Sequence, residues 1–210
     1  MKNNMMQRWV NLTKDSPASL SMCLQVFDAI ERYYEGKPYH NLYGHIDQLL
    51  TWQEEYFPDA PLDVKLAIWF HDVFNAPGFQ KNEEFSAELM RFLLSHRGPS
   101  HHDLFSEEAV ERAAMHILAT RDHVAMTPET AVMCDLDLLS LAGTPEEYDA
   151  IASRVREEFN HYPHDWWVAG RTRFIERFLA RPFIFQTERI QEWFEQAART
   201  NLERESQRYS

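Results

Sequence analysis

Apolar residues recur at helical spacing along almost the whole chain. Ser16-Pro17 suits an N-cap followed by proline at the first helical position, and Leu20, Leu24, Phe27, Ile30 and Tyr34 then mark one face until Gly36 ends the run. A second helix, from about residue 44 to 56, shows Ile46, Leu49, Leu50 and Trp52 and is broken by Pro58 and Pro61. The third, about 62–74, is apolar on most sides, which places it in the middle of a fold. Residues 75–80 hold Pro77-Gly78 and read as a loop. Asn82 caps the next helix, with Glu83 and Glu84 in its first turn, and this helix ends near His96. Others open at Ser106, at Thr127-Pro128 and at Thr144-Pro145, and the last two run over about 165–180 and 186–204. The pattern predicts one all-α domain over 1–210, a bundle of eight or nine helices with short connections and no strand.

Composition agrees. Hydrophobic residues make up 44% of 210, enough for a sizeable core, and six glycines are few for a turn-rich β fold. Lysine and arginine total 21 against 33 acids, a formal charge of −12. No basic stripe is visible, so nucleic acid and anionic membranes are unfavoured partners, and an anionic substrate needs a local cation. Cys23 and Cys134 sit in apolar stretches and read as buried thiols. Residues 1–16 are polar and lack the apolar core of a signal peptide, and no run approaches the roughly 20 apolar residues of a membrane span. The expectation is a cytoplasmic protein.

Candidate chemistry gathers around His71-Asp72, which directly follows the apolar run Leu66-Ala67-Ile68-Trp69-Phe70. Two titratable groups at the end of a buried helix are costly unless paired or bound to metal. The dipeptide alone also suits a histidine bound to a carbonyl beside a salt bridge. His164-Asp165 serves as a control: it lies in a polar loop, where Asp165 reads as a helix cap. His45 opens an amphipathic helix after Tyr39-His40-Asn41, and Asp135-Leu136-Asp137 lies within an apolar one. His45, His71, Asp72 and one of these aspartates make a nitrogen and oxygen set that suits manganese, iron, cobalt, nickel or zinc.

The order of these residues resembles the HD superfamily of metal-dependent phosphohydrolases. Tyr39-His40-Asn41-Leu42, His45-Ile46, the segment from Ala67 to Val73 and Asn82-Glu83-Glu84-Phe85-Ser86-Ala87 resemble one bacterial single-domain branch, labelled predicted metal-dependent HD phosphohydrolases. Ile117-Leu118-Ala119-Thr120, His123, Asp135-Leu136-Asp137-Leu138, Gly170-Arg171 and the closing Asn201-Leu202-Glu203-Arg204-Glu205 fit the same branch, so the resemblance covers about 33–205. It implies an HD-type helical domain with metal ligands His45, His71 and Asp72, completed by Asp137 or Asp135. The family's first two histidines usually stand four apart, whereas His40 and His45 stand five apart. On a continuous helix five positions rotate about 140°, against about 40° for four. His40 is therefore expected before the helix begins, with Gly44 absorbing the extra residue.

The implied activity is cleavage of a phosphoester, nucleotides included, by a metal-activated water. Asp72 serves as ligand and proton acceptor, His40 or His123 protonates the leaving group, and Glu83 orients the water or a ligating histidine. Arg171, Lys37 and Lys81, with Arg121 as a further guess, would hold the phosphate, and Tyr39 or Phe79 could stack on a base. His101 and His102 read as solvated and His116 as structural. A small phosphorylated substrate is the expected partner, and a homodimer stays open. Two alternatives use the same fold: a di-iron oxygenase drawing on His96, His116 or His123, and a non-catalytic nucleotide-binding sensor.

Overall fold

The structure, a computed structural model, describes residues 2–95 and 103–209. His96, His101 and His102 fall outside the described residues. Among the described residues the fold is all-α, with ten α-helices and no strand, so the helix count exceeds the expected eight or nine. The chain forms two compact units, Met1–His123 and Val124–Ser210. No helix among the described residues is long and apolar enough to cross a membrane.

The first unit contains α1 (Lys2–Leu12), α2 (Leu20–Tyr34), a π-helical turn (Leu42–Ile46), α3 (Asp47–Tyr56), α4 (Leu62–Phe70), α5 (Asn82–Leu94) and α6 (Glu107–Ala119). Helix α4 is its centre, with every residue from Leu66 to Phe70 buried, and it packs against α6, which also packs against α5. The unexpected element is α1. Its sequence is mostly polar, but Met5 and Trp9 stand four apart and share one buried face. The Trp9 indole meets Trp69 edge to face at 5.3 Å and donates to the Cys23 carbonyl at 2.7 Å. The cap of α2 is Ser19 rather than Ser16, whose hydroxyl donates instead to the Leu104 carbonyl at 2.7 Å. Leu20 consequently lies at the helix start and is exposed.

The second unit contains α7 (Pro128–Leu138), a 3-10 turn (Leu139–Ala142), α8 (Pro145–Glu158), α9 (His164–Leu179) and α10 (Glu188–Ser206). Thr144 and Glu147 form a reciprocal capping box at the start of α8, as the Thr-Pro-Glu-Glu sequence suggests. The closing Asn201 to Glu205 segment is architectural. The Asn201 amide donates to the carbonyls of Leu141 and Gly143 at 2.9 and 2.8 Å, fastening α10 to the 3-10 turn. Four residues on, Glu205 receives Arg171 of α9 through two bonds of 2.9 Å and also accepts the Tyr148 hydroxyl. Both thiols, Cys23 and Cys134, are free and buried.

Candidate metal centre

Two local features position the donor atoms. The first is the π turn. The Ile46 amide bonds to the Asn41 carbonyl five residues back at 3.2 Å, and the Asp47 amide reaches Leu42. A π turn takes in one residue more than an α turn. The extra residue between His40 and His45 is thus wound into the helix start, and His40 precedes it. Gly44 permits the tight winding, since a Cβ there would stand 3.0 Å from Asn41 Oδ1. The Asn41 amide is itself tied to the carbonyls of Pro38 and Tyr39.

The second feature is the end of α4, where His71 is the C-cap and Asp72 begins the exit. His71 Nε2 stands 3.1 Å from His45 Nε2 and 3.1 Å from Asp72 Oδ2, and His45 Nε2 stands 3.4 Å from that oxygen. An ion with bonds of about 2.1 Å sets neighbouring donors about 3.0 Å apart in octahedral and about 3.4 Å apart in tetrahedral geometry. The three donors therefore match one face of such an ion. His71 Nδ1 lies 3.1 Å from the Ile68 carbonyl, which can only accept, so this nitrogen carries the proton and leaves Nε2 with a lone pair. Two buried imidazole nitrogens this close need a cation or a shared proton between them. His45, His71 and Asp72 thus form a group able to hold a metal ion.

The surroundings fix Asp72. Its Oδ1 accepts from the Asn75 amide at 3.4 Å, which turns Oδ2 toward the histidines. Burial would raise the carboxyl pKa, but the imidazoles around it, when protonated, outweigh this, His71 and His40 by charge and His45 and His71 by hydrogen bonds, and hold it well below the usual carboxylate range. Lys37 Nζ donates to the carbonyls of Asp72 and Val73 at 2.7 and 3.3 Å, so this lysine clamps the turn. Downstream, Ser86 Oγ accepts from the Phe74 amide and donates to the Phe74 carbonyl, both at 3.1 Å. The Asn82 amide does the same for Ala76, at 2.9 and 3.1 Å. The segment after the His-Asp pair is therefore held by side chains that imitate a backbone partner. Sequence reading gave Asn75 and Ser86 no role and took Asn82 as the cap of the next helix, whereas α5 begins at Asn82 itself and the side chain serves Ala76 instead. The signal was their polar side chains beside a Pro-Gly loop.

Other candidates divide. His40 lies at the rim, with Nε2 4.0 Å from Asp72 Oδ2 and its ring edge-on to that of His45. Glu83 pairs with Arg121 at 3.3 Å, and Arg121 also holds Glu84. Lys81 is exposed at the start of α5. His123 lies in the turn after α6 in the left-handed conformation, φ 48°, which histidine tolerates better than most residues. His116 is structural: its Nε2 lies 3.3 Å from Asp63, which also accepts from Arg112 at 2.9 Å.

In the second unit, Arg171 is corrected outright. Its guanidinium is buried against Glu205 and Tyr148, so it is a core ion pair rather than a phosphate ligand. Asp135 is likewise committed. Its Oδ1 accepts from the Gln186 amide at 2.7 Å, and its Oδ2 from the Thr187 amide and hydroxyl at 2.8 and 2.7 Å. Asp137 is half-buried on α7, and burial together with the Asp137 charge pushes the Cys134 thiol up to about 12. No family model, curated protein or solved structure matches this chain.

Proposed function

We propose that the chain is a metal-dependent phosphohydrolase that cleaves a phosphoester of a small molecule, a nucleotide being one candidate, with a metal-activated water. The observation that carries this reading is the single face formed by His45 Nε2, His71 Nε2 and Asp72 Oδ2, with edges of 3.1 to 3.4 Å. Three protein donors on one face leave the remaining positions of an ion for water and substrate. Asp137 is proposed as the further ligand. This rests on the resemblance of Asp137-Leu138 to the Asp-Leu of the related cyclic-nucleotide phosphodiesterases and on the commitment of Asp135 elsewhere.

A divalent ion held here would lower the pKa of a bound water and polarise a phosphoryl oxygen. The protein's own groups do the rest. Ile68 and Asn75 orient His71 and Asp72 before substrate arrives, which is the preorganisation that such chemistry needs. Asp72 stays ionised, with Oδ2 on the metal face and Oδ1 the oxygen that can take a proton. His40, partly exposed at the rim, can deliver one to the leaving oxygen. With Arg171 buried and Arg121 held by two glutamates, Lys81 is the proposed cation for the outer phosphate oxygens.

The test is a phosphoester panel assayed with manganese, cobalt, nickel, zinc or iron(II), native chain against Asp72→Ala and His40→Gln. Turnover that needs the metal and Asp72, and falls at least tenfold without His40, supports the reading. Metal binding without turnover on any phosphoester would overturn it.

A further inference from the structure

Three rings meet at the rim of the candidate metal centre. The Tyr39 ring stands edge-on to His40 at 4.7 Å and lies tilted against His45 at 4.9 Å, while the two imidazoles are 5.4 Å apart. Tyr39 therefore packs on a ligand and on the rim histidine at once. The backbone under its ring is fixed. Pro38 precedes it with a restricted φ. The Tyr39 carbonyl accepts from the Asn41 backbone N–H at 2.7 Å and from the Asn41 side chain at 3.1 Å. The same side-chain amide reaches the Pro38 carbonyl at 3.2 Å. The asparagine that stands against Gly44 in the π turn thus also sets the place of Tyr39.

His40 is the residue on which this arrangement bears. Donors bound to one ion at about 2.1 Å stand at most about 4.2 Å apart. His40 Nε2 is 4.0 Å from Asp72 Oδ2, so it lies within reach of an ion that Asp72 holds. It nevertheless stands outside the group of donors able to hold one. The orientation of its ring decides between the two situations. As a further ligand, His40 would fill a position that a catalytic ion keeps for water or substrate.

We infer that Tyr39 is a positioning residue: its ring holds His40 out of the ligand set and so keeps one position on the ion open. The inference rests on the proposed metal-dependent reading, though not on which phosphoester is cleaved.

The test loads the full chain with cobalt(II) and counts ligating histidines by proton NMR, in which each imidazole bound through Nε2 gives one hyperfine-shifted ring N–H signal. Native chain and Tyr39→Phe, which keeps the ring, should show one such signal for each of His45 and His71. Tyr39→Ala should gain a further signal, and Tyr39→Ala/His40→Gln should lose it again. Inorganic phosphate reports on the open position. It should shift the visible cobalt spectrum of the native chain and of the double variant, and leave that of Tyr39→Ala unmoved. If Tyr39→Ala does not fold, Tyr39→Leu, which keeps apolar contact but is shorter than the ring, is read in the same way. A native chain that binds no cobalt overturns the metal-dependent reading and this inference with it. A native chain that binds cobalt, with the same signals in Tyr39→Ala, overturns the inference alone. So does a His40 signal already present in the native chain, or a Tyr39→Phe chain that gains one, because the ring is then not what holds His40.

Discussion

His71 points its Nδ1 at the carbonyl of Ile68, one turn back on the same helix, and thereby aims Nε2 at His45 across 3.1 Å. The tautomer of one ligand is thus set by backbone that the sequence places automatically. A site prepared in this way should bind metal without rearrangement. Elemental mass spectrometry after gel filtration should find a divalent ion in the native chain and little in His71→Ala or Asp72→Ala. Added metal should raise the melting temperature of the native chain, with about 2.7 kcal/mol gained at a hundredfold excess over Kd, and leave both variants unmoved.

Asp135 and Asp137 should separate cleanly. Asp135→Ala strands two backbone amides and a hydroxyl, so unfolding by denaturant should show a loss of about 3 kcal/mol. Asp137→Ala should leave the metal-free stability nearly unchanged and lower metal retention instead.

Lys37→Met should keep the fold and weaken metal binding by about 10- to 100-fold, the usual cost of removing a group that orients a ligand. Metal titration of the purified variant measures this directly.

Ser86→Ala removes both partners of Phe74 at once. With Ser86 buried, the loss should be about 1–3 kcal/mol, read from chemical denaturation.

Glu205 gives a pH dependence. Burial raises its pKa, but hydrogen bonds and charge from Arg171 outweigh this and hold it below the ordinary 4.5. A depressed carboxylate contributes fully above its unfolded pKa, and the contribution is lost as pH falls through the folded value. Melting temperature should therefore drop as pH falls below about 4.5. Glu205→Gln should be less stable by about 3–5 kcal/mol near neutrality, because Arg171 is left buried without its partner, and should show a flatter acid limb.

Legibility in the sequence followed the distance between partners. The helices with strong stripes, their Thr-Pro starts and the His71-Asp72 pair are local signals, and each stands where its neighbours indicate. The winding before His45 was also legible, because one surplus residue beside a glycine has few ways to fit. Arg171 was misread, and Asp135 stayed an alternative to Asp137, because their partners lie 34 and 51 or 52 residues away, and nothing beside them in sequence announces a buried carboxylate or two waiting amides. Helix α1 escaped notice because its apolar residues are interleaved with lysine, arginine, asparagine and glutamine and look like a tail until Trp69 supplies a face for Trp9.

The winding at Leu42–Ile46 has a consequence for comparing this chain with others. Residues inserted or deleted ahead of His45 change how that turn coils and where His40 stands, while His45 keeps its phase with α3. An alignment to proteins whose first two histidines stand four apart must therefore open a gap between His40 and His45. Placed elsewhere, the gap sets a ligand against a mismatched column and hides the one position that the fold holds constant.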